Sequence, residues 1–386
     1  MNKIVIIGGG ASALMLASLL PENSAAVIES NTKTGAKIEI SGGGKCNITN
    51  EVMDAGYFSG EAYFIQPALD MFDEKRVLAW LRQRGLTPVK RKGTQYFCPH
   101  SSKEILGIFQ HESRRQKVLL EEKVMAVTKK DRKFEVKTDK RVLKADKVVV
   151  ASGGLSFPVL GASDIGYRIA EAFGHTIAKT TPALVGFTLQ PEQFFFKALS
   201  GISTDVAVTV GEKIVKGSLL FAHKGISGPA VLDASLYWEK GKIEIDFLGE
   251  FDWEALRQSH RKLSTLLPMP KRLTKAFLLQ SRLDDKQGNQ VTSEEAERLK
   301  SLSHYSFAPA GTFGYSKAEV TKGGVSTGEV NAYTMMSEKE EGLYFIGEVL
   351  DVTGRLGGYN FQWAFSSAYV CCQHLISEMK RNQREV

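Results

Sequence analysis

The chain opens with an apolar run, Ile4-Val5-Ile6-Ile7, that stops abruptly at Gly8-Gly9-Gly10. Leu14 to Leu20 continues as an apolar helix, and Ala25-Ala26-Val27-Ile28 reads as a second short strand closed by Glu29. Strand, glycine turn, helix and strand make a βαβ unit, which commits the chain to a parallel sheet with crossover helices. The spacing is G-x-G-x-x-A, with Ala13 in the last position and the acid nineteen residues after Gly10. Gly8 permits the tight turn, Gly10 lets backbone approach a pyrophosphate, and Ala13 keeps the helix close to the sheet. The helix N-terminus offers unpaired N–H groups to phosphates, and Glu29 can accept hydrogen bonds from a ribose. A bound dinucleotide is the expectation.

A second glycine stretch follows, Ser41-Gly42-Gly43-Gly44-Lys45-Cys46-Asn47. Three consecutive glycines suit neither a strand nor a helix core; they make a loop whose amides can approach a ligand. Lys37 and Lys45 add positive charge, Asn47 adds two donors and an acceptor, and Ile38, Ile40 and Ile48 alternate with them. A loop facing a cofactor fits that pattern better than a linker. Helical spacing covers 61–87 and 102–120, with Tyr96 to His100 as a turn between them bordering a cleft. The period then changes to two: 123–128, 133–138 and 142–150 read as a three-stranded meander. In Rossmann-type flavoproteins such a meander covers one face of the parallel sheet, and here its last strand enters Ser152-Gly153-Gly154. Near the end, Gly342 to Asp351 reads as a buried strand closed by a glycine and two acids. Gly354, Gly357 and Gly358 then precede a helix over Phe361–Met379, a second helix start suited to an anion.

At 386 residues the chain exceeds one typical core. From about Gln190 its character shifts to alternating runs at 205–210 and 242–247, a tight turn at Phe221–Pro229, and polar, helix-favouring sequence over 253–304. The expected organisation is a nucleotide-binding domain from 1–188 and 328–386 and an inserted module, 189–327. Its β part is placed at 189–252 and 310–327, and its helical part at 253–309. The opening apolar stretch is too short for a signal or a membrane span, so a cytoplasmic protein without membrane association is expected. Cys46, Cys98, Cys371 and Cys372 form no C-x-x-C pair, and no metal site is expected. Cys98 lies in a separate segment from Cys46, and a small residue packed in the glycine loop is the simpler role for Cys46. The net charge is +7, but the basic clusters (Lys129–Lys133, Lys271-Arg272, Lys380-Arg381) are scattered and not interleaved with aromatic residues. That favours a solvated surface over a nucleic-acid groove.

In this order the pieces resemble one family, the bacterial FAD-dependent NAD(P)/FAD oxidoreductases that include aminoacetone oxidase-like and bile-acid enone reductase-like flavoproteins. The matching stretches are 7–13, 37–50, 152–167, 225–229, 318–330 and 342–367. The resemblance implies an α/β Rossmann-type fold of the two-dinucleotide-binding-domain flavoprotein kind, with an inserted barrel-like and helical module. It also implies FAD held by Gly8, Gly10, Ala11, Ser12, Glu29, Lys37, Cys46, Asn47, Val124 (through its backbone), Gly153, Gly347, Glu348, Asp351, Gly358 and Asn360. Ala13 stands where the family commonly has glycine. Gly186-Phe187 replaces a frequent Pro-Leu, so substrate specificity transfers less readily than cofactor binding. The implied activity is hydride or electron transfer between a small organic substrate and the flavin. There is no second G-x-G-x-x-G, so NAD(P)H would dock transiently or the substrate itself would reduce the flavin. The alternatives are a flavin-dependent tRNA-modifying enzyme and a non-catalytic flavin sensor. No catalytic residue is assigned; for His223 and Tyr359, both near flavin-facing turns, a structural role is the default.

Overall fold

The computed structural model describes residues 2–384. They divide into two compact units, Met1–Pro182 with Val320–Val386, and Ala183–Glu319. The second unit starts at Ala183, ahead of the expected 189, and ends at Glu319, ahead of the expected 327, because the following strand Val320–Val325 pairs with Ile177–Ala183, all but the last residue of which lies in the first.

In the first unit, Asn2–Ile7 is a central strand, parallel to Ala25–Ile28 on one side and to Val142–Val150 on the other. Lys117–Leu119 extends the sheet beyond Ala25–Ile28, and Leu343–Phe345 pairs in parallel with Val148–Val150. Strands buried on both faces read as unbroken apolar runs, and Ile4 to Ile7, Val148 to Val150 and Leu343 to Phe345 are all buried. The helix Ala11–Leu19 is apolar all round, and the long C-terminal helix Tyr359–Arg384 packs against it. That helix begins at Tyr359, ahead of the expected Phe361, because Gly358 ends the preceding turn.

The meander departs from expectation. Lys133–Thr138 pairs antiparallel with Val142–Ala145, and Val124–Lys130 pairs with Lys133–Thr138, so both belong to the same sheet and are not a separate layer. Strand Val142–Val150 forks. Its first half feeds the meander, and its second half joins the parallel sheet. Tyr96 and Phe97 also differ from the expected turn, since Gln95–Phe97 is a strand between Asn47–Asn50 and Val89–Arg91. Among the described residues no helix is long and apolar enough to cross a membrane.

The second unit is a seven-stranded antiparallel sheet with short helices. Its edge strands are Tyr305–Phe307 and Gly311–Thr312. Laid flat, six inter-strand gaps would separate those edges by about 29 Å. The four Cα steps from Phe307 to Gly311 span at most about 15 Å. The sheet therefore curls until its edges approach, which gives the barrel-like form. Phe196, Phe221, Phe247, Phe277 and Phe307 fill it.

Candidate functional site

All the predicted cofactor-binding residues lie in the first unit, and most gather at the C-terminal ends of its parallel strands, where open α/β sheets bind ligands. The three opening glycines do different things. Gly8 has φ +103°, its N–H donates to the Ile28 carbonyl (2.8 Å), and a Cβ there would sit 2.5 Å from the Ala151 carbonyl oxygen. It joins the turn to the neighbouring strand. Gly9 donates its N–H to Glu29 Oε2 at 2.8 Å. Gly10 has φ −82°, and a Cβ there would meet nothing within 4 Å. It caps Ala11–Leu19 with no side-chain hydrogen bond, so the first amides of that helix, Ala11 and Ser12 among them, lack intrahelical acceptors.

Glu29 is buried and accepts from Gly9 N–H, from Asn31 N–H (2.8 Å) and from Ser30 Oγ (3.2 Å). It thus braces the turn as well as standing where a ribose is expected. The backbone N–H of Glu122 donates to the Glu29 carbonyl (3.1 Å), which brings the start of strand Val124–Lys130, with Val124 itself, beside that acid.

The stretch Ala36–Gly44 begins as a helix and breaks at Ser41, where ψ is 151°. Gly42, Gly43 and Gly44 all have positive φ, and a Cβ at Gly43 or Gly44 would meet nothing within 4 Å. Lys37 Nζ donates to Glu348 Oε2 (2.8 Å) and Oε1 (3.1 Å), while Thr321 N–H donates to Glu348 Oε1 (2.9 Å). Glu348 also faces Gly153 and Gly154. Asn47 donates through Nδ2 to Gln95 (2.8 Å), and its Oδ1 is buried without a hydrogen-bond partner.

Cys46 and Cys98, distant in sequence, come together. Asn47 pairs with Phe97, and Cys98 N–H donates to the Lys45 carbonyl (3.0 Å). Both thiols are buried. Cys98 and burial push the Cys46 thiol well up; of the coupled pair, Cys98 would ionise first and Cys46 keeps its proton. Packing, not thiolate chemistry, suits Cys46.

At the C-terminal end, Gly347 has φ +73°, and a Cβ there would lie 2.6 Å from Ser12 Oγ. Its N–H donates to Ser367 Oγ, and its carbonyl accepts from Trp363. Gly358, at φ +96°, packs against the Thr49 backbone with no room for a side chain. Asn360 spends both ends of its amide on Gly354, accepting from its N–H (2.9 Å) and donating to its carbonyl (2.8 Å). Asp351 is half-buried, and burial pushes its carboxyl up against the opposing charge of Lys322. His223 lies in the second unit, in a tight turn between strands Lys213–Ala222 and Gly225–Ser227. The ring of Tyr359 stacks on Tyr57 (5.0 Å between centroids, 10° between planes).

The residues that sequence reasoning missed are polar braces. Thr321 also accepts from Leu155 and Ser156, Gln95 holds Asn47, and Gln362 takes the Thr49 hydroxyl at 2.6 Å. Single polar residues in apolar segments carry no periodic signal, though Thr321 falls inside a stretch matching the family.

A cradle left open at Gly10, Gly43 and Gly44, a side-chain-free helix start and the unpaired Asn47 oxygen fit a dinucleotide such as FAD. Glu29→Ala should weaken flavin binding roughly 10- to 150-fold, the value of one lost hydrogen bond to a charged acceptor. It should also cost about 1–3 kcal/mol of stability, because buried Gly9 N–H loses its acceptor. Flavin titration of the apoprotein and urea unfolding read the two effects separately. Unchanged values for both would remove Glu29 from the site.

A parallel sheet of this order, with its glycine turns and ligand-ready helix starts at one end, defines a Rossmann-type FAD-binding fold. The chain belongs to a family of that class, since the family described as HI0933-like protein Rossmann domain matches residues 2–374. It is 40% identical to the ribosomal RNA dihydrouridine synthase of Haemophilus influenzae, over 96% of this chain and 97% of that protein. It is 37% identical to the Escherichia coli protein of the same name, over 97% and 98%. A third relative, the 3-dehydro-bile acid delta(4,6)-reductase of Clostridium scindens, is 32% identical over 96% and 98%. Among solved structures, an Escherichia coli quinol fumarate reductase matches 98% of this chain and 70% of its own, with a TM-score of 0.53 and 13% identity. That last likeness concerns the fold. The chain is a flavoprotein oxidoreductase.

Proposed function

We propose that this chain binds FAD in the cradle described above and reduces the C5–C6 double bond of a uridine in ribosomal RNA. The observation that carries the reading is the full-length similarity to two ribosomal RNA dihydrouridine synthases. The chemistry implied by the relatives' names is coherent. The uracil double bond is conjugated to a carbonyl, and the two double bonds of a delta(4,6) 3-keto steroid form a diene conjugated to theirs. Saturating one such double bond requires a hydride at its carbon remote from the carbonyl and a proton on the carbonyl side of the conjugated system. When bound, the flavin supplies the hydride. The chain's own residues bind and orient. The helix start after Gly10 and the amides of Gly43 and Gly44 take negative charge, Glu29 takes the ribose, and Lys37, fixed by Glu348, adds a cation beside the glycine loop.

This reading replaces a free small-molecule substrate with a base in RNA, and it brings back the nucleic acid that scattered charge had set aside. Such an enzyme must reach a base outside its stack, which favours single-stranded or opened RNA. The test supplies ribosomal RNA transcribed in vitro, FAD, and NADH or NADPH under anaerobic conditions, followed by mass spectrometry of the nucleosides. Dihydrouridine is the expected product. Flavin that is reduced and reoxidised by a conjugated enone, with uridine untouched, would overturn the reading.

A further inference from the structure

The second unit carries a basic surface that its own stability does not account for. Helix Lys271–Gln280 buries Leu273, Thr274, Phe277 and Leu278, with the Phe277 ring 5.0 Å from Phe247 and 5.8 Å from Phe195. Its outward positions are Lys271, Lys275 and Leu279, spaced four apart along one stripe, with Arg272 beside them, and all four are exposed. Nothing acidic stands in its first turn, and no side chain caps it. Cations in a first turn oppose the helix dipole, at a cost of roughly 0.3–1 kcal/mol each. Two other helices of this unit are built the opposite way. Trp253–Gln258 has Asp252 as its cap and Glu254 in its first turn, and Ser293–Lys300 has Thr292 with Glu294 and Glu295.

The 3-10 run Pro191–Leu199 lies against this helix, and the Arg272 guanidinium donates to the Ala198 carbonyl. In that run Phe194 is 45% exposed, and Lys197 Nζ stands 3.3 Å from its ring centroid. Glu192 is the one acid in the run. Asp285 lies within the influence of Lys275 but is already bound by Ser264 through its backbone N–H and its hydroxyl. The fold thus sets Arg272, on the helix that also exposes Lys271 and Lys275, beside the run that carries Phe194 and Lys197, and so joins two segments far apart in sequence into one basic cluster with an exposed aromatic ring.

We propose that this cluster grips single-stranded RNA, the cations meeting phosphates and Phe194 stacking on a base. The inference rests on the reading of the substrate as RNA. A polyanion with flat bases matches both halves of the patch, charge and ring. The test uses the full-length, flavin-loaded protein and a fluorescein-labelled oligouridylate, with anisotropy measured across a salt series. The double variant Lys271→Gln/Lys275→Gln should flatten the slope of log K against log salt by about 1.4, near 0.7 for each lost single-strand phosphate contact. Phe194→Ala should weaken binding roughly 5- to 150-fold at unchanged slope. Lys216→Gln, at an exposed lysine elsewhere in the same unit, should bind like the wild type. Flavin absorbance and circular dichroism should match the wild type in every variant, since the altered side chains are exposed. Wild-type affinity and slope in the patch variants, or equal weakening by Lys216→Gln, would overturn the patch while leaving RNA as the substrate. A wild type that neither binds the oligomer nor modifies ribosomal RNA would overturn the substrate reading itself.

Discussion

Gly10→Val should yield a folded, colourless protein. The backbone at Gly10, φ −82° and ψ −167°, lies where any residue is comfortable, and a Cβ would touch no protein atom within 4 Å. The fold therefore gives no reason for glycine there. A pyrophosphate lying against the helix start does give one, because a branched side chain would fill the space that the phosphate needs. Flavin affinity should fall at least about 100-fold, which corresponds to about 2.7 kcal/mol, while the melting temperature of the apoprotein stays at the wild-type value. Gly8→Val makes the contrast. At φ +103°, with the Ala151 carbonyl 2.5 Å from any Cβ, it should lose the fold along with the flavin. The comparison needs only absorbance at flavin wavelengths, flavin titration and thermal unfolding. A Gly10→Val protein that purifies yellow, with its full complement of FAD, would show that the cofactor does not lie over this turn.

The opening βαβ unit was legible because each of its signals is local. Apolar runs, glycines and a terminal acid sit within thirty residues and need no distant partner to be read. The same holds for the glycines at 347, 357 and 358. Contacts between segments were another matter. Cys46 and Cys98 gave no motif, because their meeting depends on the pairing of Asn47 with Phe97, and a three-residue strand such as Gln95–Phe97 is too short to show a period. The meander shows its three strands in the alternation but not the sheet they join, since hydrogen bonding along one strand to two different partners leaves no trace in that pattern. Clustering of charge has the same limit. Lys271-Arg272 looked isolated until folding set Phe194 and Lys197 beside it.

Glu329→Gln should destabilise the protein near neutrality and cease to matter in acid. Glu329 joins the stretch after strand Val320–Val325 to the chain entering Ile177–Ala183. It accepts from Thr176 N–H (2.7 Å) and Thr176 Oγ1 (2.9 Å) and pairs with Lys339 (2.7 Å), while His175 Nδ1 stands 3.4 Å away without a hydrogen bond. Burial alone would raise its pKa. The hydrogen bonds from Lys339 and Thr176, with the lysine's charge, override that and hold it at about 2, against an ordinary 4.5. A carboxyl whose pKa falls on folding adds stability that is complete above its unfolded value and lost as pH drops through its folded one. The window therefore runs from about pH 4.5 down to about 2, and the contribution at neutrality is at most about 3 kcal/mol. With a fifth of the side chain in solvent, about 1–3 kcal/mol is expected. Glutamine keeps the size but loses the charge, and its amide nitrogen would confront the Thr176 N–H or the Lys339 ammonium. His175 acts in the same direction from the other side. Faced by Ser337, Glu329, Lys339 and the Phe345 ring, it has its pKa lowered by burial, so its folded form stays neutral. The unfolded chain takes up that proton first, and stability falls as pH drops below about 6.5 in both proteins. Urea unfolding from pH 7 to 3 separates the two groups: the wild-type advantage over Glu329→Gln should hold down to about pH 4.5 and narrow below it. An advantage absent at pH 7, or undiminished at pH 3, would mean that the carboxylate's charge does not hold these segments together.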